Sequence, residues 1–113
     1  KLDFIKKLQL PSLSKLLNFS EKEYKDFFIG TALRRLGYIR FMRNVLIAVA
    51  NSGDISLVID VKKKLNNKNE LIKAMAVWAL FCLNKKDFII EKEKRYKTET
   101  SVLVKKEWMN REN

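Results

Sequence analysis

The sequence predicts an all-α fold, and three observations carry that expectation. The chain has only three glycines and one proline, too few for the many turns of a β-sandwich. Its apolar residues recur with a helical period, most clearly from Tyr38 to Asn51. An apolar–basic step also leads into an apolar run at Met42–Arg43, again 30 residues later at Ile72–Lys73, and after a further 32 at Val104–Lys105. Recurrence at about 30 to 40 residues marks helical repeats, which stack because no single unit covers its own apolar face. The expected architecture is therefore a HEAT-like helical-repeat domain of stacked antiparallel helix pairs. At 113 residues with 47% hydrophobic side chains, the chain has room for one domain with a real core.

Taken in order, residues 1–19 are expected to lead in from a preceding domain, 20–110 to form the helical domain and 111–113 to fray. Pro11 stands ahead of a short helix from Ser12 to Leu17. Ser20, with Glu23 three residues on, offers a reciprocal capping box. The helix that follows, Glu21 to Ile29, turns Tyr24, Phe27 and Phe28 inward and is closed by Gly30. Gly37 separates a short turn carrying Arg34 and Arg35 from the central helix. On that helix Arg40, Arg43, Asn44 and Asn51 share one narrow seam, interrupted by Ile47, while apolar side chains cover the remaining girth. Such a helix must be covered on several sides. Ser52 and Gly53 end it, Gly53 in the left-handed conformation, and Asp54 caps the next helix. From Ile55 to Leu65, Leu57, Val58, Val61 and Leu65 face inward, with Lys62, Lys63 and Lys64 at the end. Asn69 caps a second buried helix, Glu70 to Leu83, which holds Met75, Val77, Trp78, Leu80 and Phe81 at its centre and Cys82 as a buried thiol. The third unit, Asp87 to Trp108, is poorer in apolar residues and serves as a basic cap.

The net charge is +11, from 24 basic and 13 acidic residues. Residues 61–113 hold 14 of the basic and 7 of the acidic ones. An excess of this kind fits a polyanionic partner, bound through phosphate neutralisation and counterion release. The sharper signal is local, since no acidic residue lies between Asp26 and Asp54, where Arg34, Arg35, Arg40 and Arg43 fall. A run of like charges is also what a solvated helix face looks like. Lysines in a last helical turn have their own explanation in the helix dipole.

Much chemistry is excluded. There is no histidine, which removes the commonest general base and metal ligand. One cysteine cannot build a zinc site or an iron–sulfur cluster. No glycine-rich phosphate loop is present. The longest apolar run, Ala74 to Leu83, is ten residues, against roughly 20 for a membrane span. A reducing, cytoplasmic setting and a monomer are the expectations, with no membrane partner. The lack of an initiating methionine points to a piece of a longer protein.

The run TALRRLG, followed by RFMRNVLIAVANSGD, resembles the C-terminal helical-repeat domain of the epoxyqueuosine reductases. Arg43–Asn44 matches that family's Arg-Asn pair, and Asn51–Ser52–Gly53–Asp54 matches the end of its apolar run. Ala50 departs from the pattern, standing where the family has glycine. The resemblance runs from about Leu16 through Leu83. It implies an enzyme that reduces epoxyqueuosine to queuosine at the wobble position of tRNA. It also implies cobalamin and two [4Fe–4S] clusters, carried by preceding catalytic domains of the same polypeptide and not by this chain. This chain is then the tRNA-binding part, with Arg34, Arg35, Arg40 and Arg43 as contacts and Lys62, Lys63 and Lys64 as a second patch. Tyr38 is either a stacking platform or a half-buried core residue. Two alternatives stand beside this expectation. One is a protein-interaction module with a basic face; the other gives Arg43 a structural role, holding helix-end carbonyls or Asp54.

Overall fold

The computed structural model describes residues 11–110, which are all-α, without a strand among them. The helices are α1 (Leu13–Leu17), α2 (Glu21–Phe27), α3 (Ala32–Leu36), α4 (Tyr38–Ser52), α5 (Val58–Lys64), α6 (Glu70–Leu83), α7 (Lys85–Arg95) and α8 (Val102–Asn110). Single 3-10 turns at Ile55–Leu57 and Tyr96–Thr98 lead into α5 and out of α7. No helix among the described residues is long and apolar enough to cross a membrane.

The helix starts follow from local chemistry. The Ser20 hydroxyl accepts from the Glu23 amide at 3.1 Å, and the Glu23 carboxylate accepts from the Ser20 amide at 2.8 Å. Asn69 Oδ1 accepts from Leu71 and Ile72, and Asn84 Oδ1 from Asp87. Each of these side chains satisfies amides that have no partner within the helix. Gly53, at φ 68°, closes α4 in the left-handed conformation.

Helix α6 is the centre of the fold. It packs between α4 and α8, with α5 and α7 laid across it, while α1 fits against α4 and α5. Short connections join α4 to α5 and α6 to α7. The fully enclosed residues come from every layer: Met42, Leu46 and Val49 from α4, Val61 from α5, Ala76, Val77 and Leu80 from α6. Leu16, Leu17 and Phe19 are buried in the same core, so α1 is packed with the body of the fold. Residues 1–10 and 111–113, expected to lead in and to fray, lie outside the described residues.

Three expectations change. Helix α2 stops at Phe27, with Gly30 in the turn beyond it, so Phe27 is 48% exposed and only Tyr24 and Phe28, four residues apart, reach the core. Cys82 is exposed and Trp78 is half-buried. Both lie on the side of α6 that also carries Leu71 and Met75, and α6 turns that side outward. The third unit is better anchored than its composition implies. Trp108 is 1% exposed and its ring meets Phe88 at 5.3 Å, as Phe88 meets Phe81.

Deleting a large enclosed aromatic costs both transfer energy and a cavity. Trp108→Ala should therefore lower the unfolding free energy in urea by about 3–5 kcal/mol, with Trp78→Ala costing clearly less. Equal losses would contradict this placement of the two indoles. Acid should also unfold the protein through two carboxylates. Burial alone would raise Asp60, but hydrogen bonds from Asn18 and Ser14 and the nearby Lys63 ammonium outweigh it and hold the group below its ordinary value. Burial likewise opposes ionisation of Glu99, and the Ser101 amide and Lys73 prevail. A carboxyl depressed by folding stabilises the native state above its unfolded pKa, and that stability is lost as pH falls through the folded value. In acid titrations followed by circular dichroism, Asp60→Asn should lose stability at neutral pH and show a shallower acid limb.

Candidate nucleic-acid interface

The arginine-bearing stretch is held by aromatic side chains beneath it. Tyr24 is buried, and its hydroxyl bonds to the Leu33 carbonyl, lies 3.2 Å from that of Arg34 and accepts the Gly37 amide at 2.9 Å. One hydroxyl thus joins the end of α3 to the start of α4. Gly37, at φ 91°, makes the sharp turn between them. Phe28 and Phe41 pack against the Tyr24 ring at 5.5 and 4.7 Å. Tyr38 stacks there too, half-buried, its hydroxyl donating to the Phe19 carbonyl at 2.7 Å. With its hydroxyl bonded inward and its pKa pushed up by burial, Tyr38 is a core residue and not a platform for a base.

On α4 the expected seam is real. Arg40, Arg43, Asn44 and Asn51 are all exposed and Ile47 is half-buried, while Phe41, Met42, Val45, Leu46, Val49 and Ala50 are covered. Arg40 and Arg43 stand one turn apart on this face. The first turn of α4 has no acidic residue and no capping side chain, so its amide dipoles add positive potential beside Arg40.

The partners of the arginines differ from expectation. Arg34, expected with Arg35 to be an RNA contact, donates through Nε to the Lys25 carbonyl at 3.0 Å. That bond ties α3 back to α2. Arg43 has no hydrogen bond or ion pair among the described residues, so the alternative that gave it a structural role finds no support. Asp54, its suggested partner, instead accepts from the Ser56 amide and hydroxyl. Arg34 and Arg35 border an open hollow with Gly30, Thr31 and Ala32.

The lysine patch is largely neutralised. Lys62 pairs with Asp87 at 3.3 Å and Lys63 with Asp60 at 3.7 Å. Lys64 is half-buried, and burial pushes its pKa down. Asp87 is remote from the lysine run in sequence, and only the fold sets α7 beside the end of α5.

The residues present do not fit the clusters that the resemblance places in other domains of the polypeptide. A [4Fe–4S] cluster needs several thiolates, whereas the chain holds one cysteine and no histidine. Among the described residues no three potential ligands gather.

The chain is 35% identical over 77 residues to the epoxyqueuosine reductase of Shewanella oneidensis. It is 37% identical over 71 residues to that of Francisella cf. novicida, and 31% over 75 to that of Salmonella typhimurium. These matches take in 66%, 60% and 66% of this chain, and 20% of each relative. The chain thus spans about a fifth of the length of the curated relatives it matches. No family model matches it, and no solved structure does.

Because Arg43 has no partner among the described residues, Arg43→Ala should change stability by less than about 0.5 kcal/mol. Arg34→Ala should cost up to about 1 kcal/mol, the scale of one net hydrogen bond. Thermal melts of the two variants compare them directly, and the reverse order would mean that Arg43 is held after all.

Proposed function

We propose that this chain, which is related to one segment of the epoxyqueuosine reductases, is the tRNA-binding part of such an enzyme. The reduction of epoxyqueuosine belongs, on this reading, to other domains of a longer polypeptide, along with the cobalamin and the clusters. The observation that carries the binding role is the exposed pair Arg40 and Arg43, with no carboxylate paired to it among the described residues, on a helix otherwise enclosed. Two guanidinium groups fixed one turn apart suit the phosphate oxygens of a helical backbone. A-form RNA is read mostly through backbone and shape, so no base-stacking residue is required. Arg35, exposed at the end of α3, extends the same line. Arg34 contributes by holding α3 in place, with part of its guanidinium left for the backbone. Lys62, Lys63 and Lys64 play a minor part, since two of them already face carboxylates.

A protein-contacting role has one observation in its favour. Phe27, Ile29 and Leu33 stay exposed around the α2–α3 turn, and solvent is a poor place for clustered apolar side chains. We assign that patch to the catalytic domains of the same polypeptide, which leaves the arginines for RNA.

Removing one arginine–phosphate interaction should flatten the log–log dependence of affinity on salt by about 0.7 to 0.9. Arg40→Gln/Arg43→Gln should therefore weaken tRNA binding and lower the slope by roughly 1.5 to 2, with the melting temperature unmoved. Fluorescence anisotropy with a labelled tRNA across a salt series measures both. Unchanged affinity at low salt would place the RNA face elsewhere.

A further inference from the structure

Helix α3, which carries Arg34 and Arg35, has little of its own to hold it. None of its five residues is buried, no side chain caps its start, and its first turn has no acidic residue. Thr31, at the capping position, directs its hydroxyl to the Phe28 carbonyl at 2.7 Å. A helix that short is not stable by itself, so its place is set from outside.

Tyr24 supplies the restraint at its far end. In an unbroken helix the Gly37 amide would donate to the carbonyl four residues earlier, that of Leu33. Here the Tyr24 hydroxyl stands between the two groups. It donates to the Leu33 carbonyl and accepts the Gly37 amide at 2.9 Å, with the Arg34 carbonyl 3.2 Å away. A side chain inserted into the hydrogen-bond ladder breaks a helix, and the positive φ of 91° at Gly37 completes the break. Packing of the ring does not explain the residue, because Phe28 and Phe41 fill neighbouring places in the same cluster without a hydroxyl. A buried hydroxyl costs free energy unless it is bonded. Tyr24 is 1% exposed, and the three groups around its hydroxyl all belong to the α3–α4 joint.

The break decides where the arginines stand. Along one continuous helix Arg35 and Arg40, five residues apart, would project about 140° from each other. We propose that Tyr24 is a positioning residue of the arginine surface. Its hydroxyl keeps α3 from continuing into α4, and so sets Arg35 to bind the same polyanion as Arg40 and Arg43. This rests on the RNA reading of those arginines, and adds to it a buried residue that itself touches no RNA.

Anisotropy of a labelled tRNA across a salt series, with the full chain, tests the assignment. Tyr24→Phe removes the hydroxyl and keeps the ring. It should weaken binding and flatten the log–log salt dependence by about 0.7 to 0.9, the loss of one phosphate contact. Arg35→Gln should do the same. In Tyr24→Phe/Arg35→Gln the slope should fall no further, because both changes remove one shared contact. Tyr24→Phe/Arg40→Gln should lose a second full step. A merely structural tyrosine would lower the melting temperature and leave the slope alone. Gly37→Ala strains the same joint while its added methyl meets open space. It should repeat the Tyr24→Phe result, and replaces that variant if the tyrosine change melts below the assay temperature. An unchanged slope in Tyr24→Phe and Gly37→Ala, an Arg35→Gln without effect, or losses from Tyr24→Phe and Arg35→Gln that add in full would overturn the proposal and leave the RNA reading standing. If Arg40→Gln/Arg43→Gln and Arg35→Gln all bind tRNA unchanged at low salt, the RNA reading itself fails and the proposal falls with it.

Discussion

Helix α6 carries Ala, Val, Leu, Phe and Trp side chains around most of its circumference, and no helix of that kind is stable in water alone. It has to be enclosed, and the positions of α4, α5, α7 and α8 are the solution. Helices α4, α5, α7 and α8 all pack against it. Each neighbour, having given one face to α6, is left with one face for solvent. On α4 that remaining face is the arginine and asparagine seam. The location of the candidate RNA surface is thus a consequence of how α6 is buried.

A second requirement comes from the charged residues caught between layers. Asp60 receives Ser14, Asn18 and Lys63, which locks α1 onto α5. Glu91 and Glu99 perform the same task further along, joining the end of α7 and the loop before α8 to the α5 terminus and to α6. Removing one member of such a set leaves the other buried and unpaired, which costs more than the pair gains. These bonds fix register between helices that apolar packing alone would let slide.

The legible parts of this molecule in its sequence were those with short-range causes. The Ser20–Glu23 box, the left-handed Gly53, the Asn69 cap and the inward face of α5 all follow from residues within one or two turns. The seam on α4 was legible because its polar residues stand out against an apolar background. On α6 that contrast is missing. Leu71, Met75, Trp78 and Cys82 form the exposed side, but nothing polar marks them, so Trp78 and Cys82 read as core. Partners distant in sequence were the other gap. Nothing near Arg34 announces the Lys25 carbonyl, and nothing in the Lys62–Lys64 run announces Asp87. In the third unit the converse happens. Val104 and Trp108, four residues apart with Phe88 opposite, suffice to anchor a segment whose composition looks polar.

That distinction bears on what net charge means for this chain. By count, the C-terminal half is the more basic, since residues 61–113 hold 14 of the 24 basic side chains. In the fold, Lys62, Lys63, Lys73, Lys94 and Arg95 are set against carboxylates within 4 Å, and their field beyond the surface is correspondingly weak. The stretch from Phe27 to Gly53 holds fewer cations, but no acidic residue accompanies them. A polyanion approaching from solution responds to uncompensated charge and not to the tally. By that measure the arginines of α3 and α4 form one candidate surface, and lysines of the C-terminal half that meet no carboxylate among the described residues, such as Lys86, Lys97 and Lys106, add to the field.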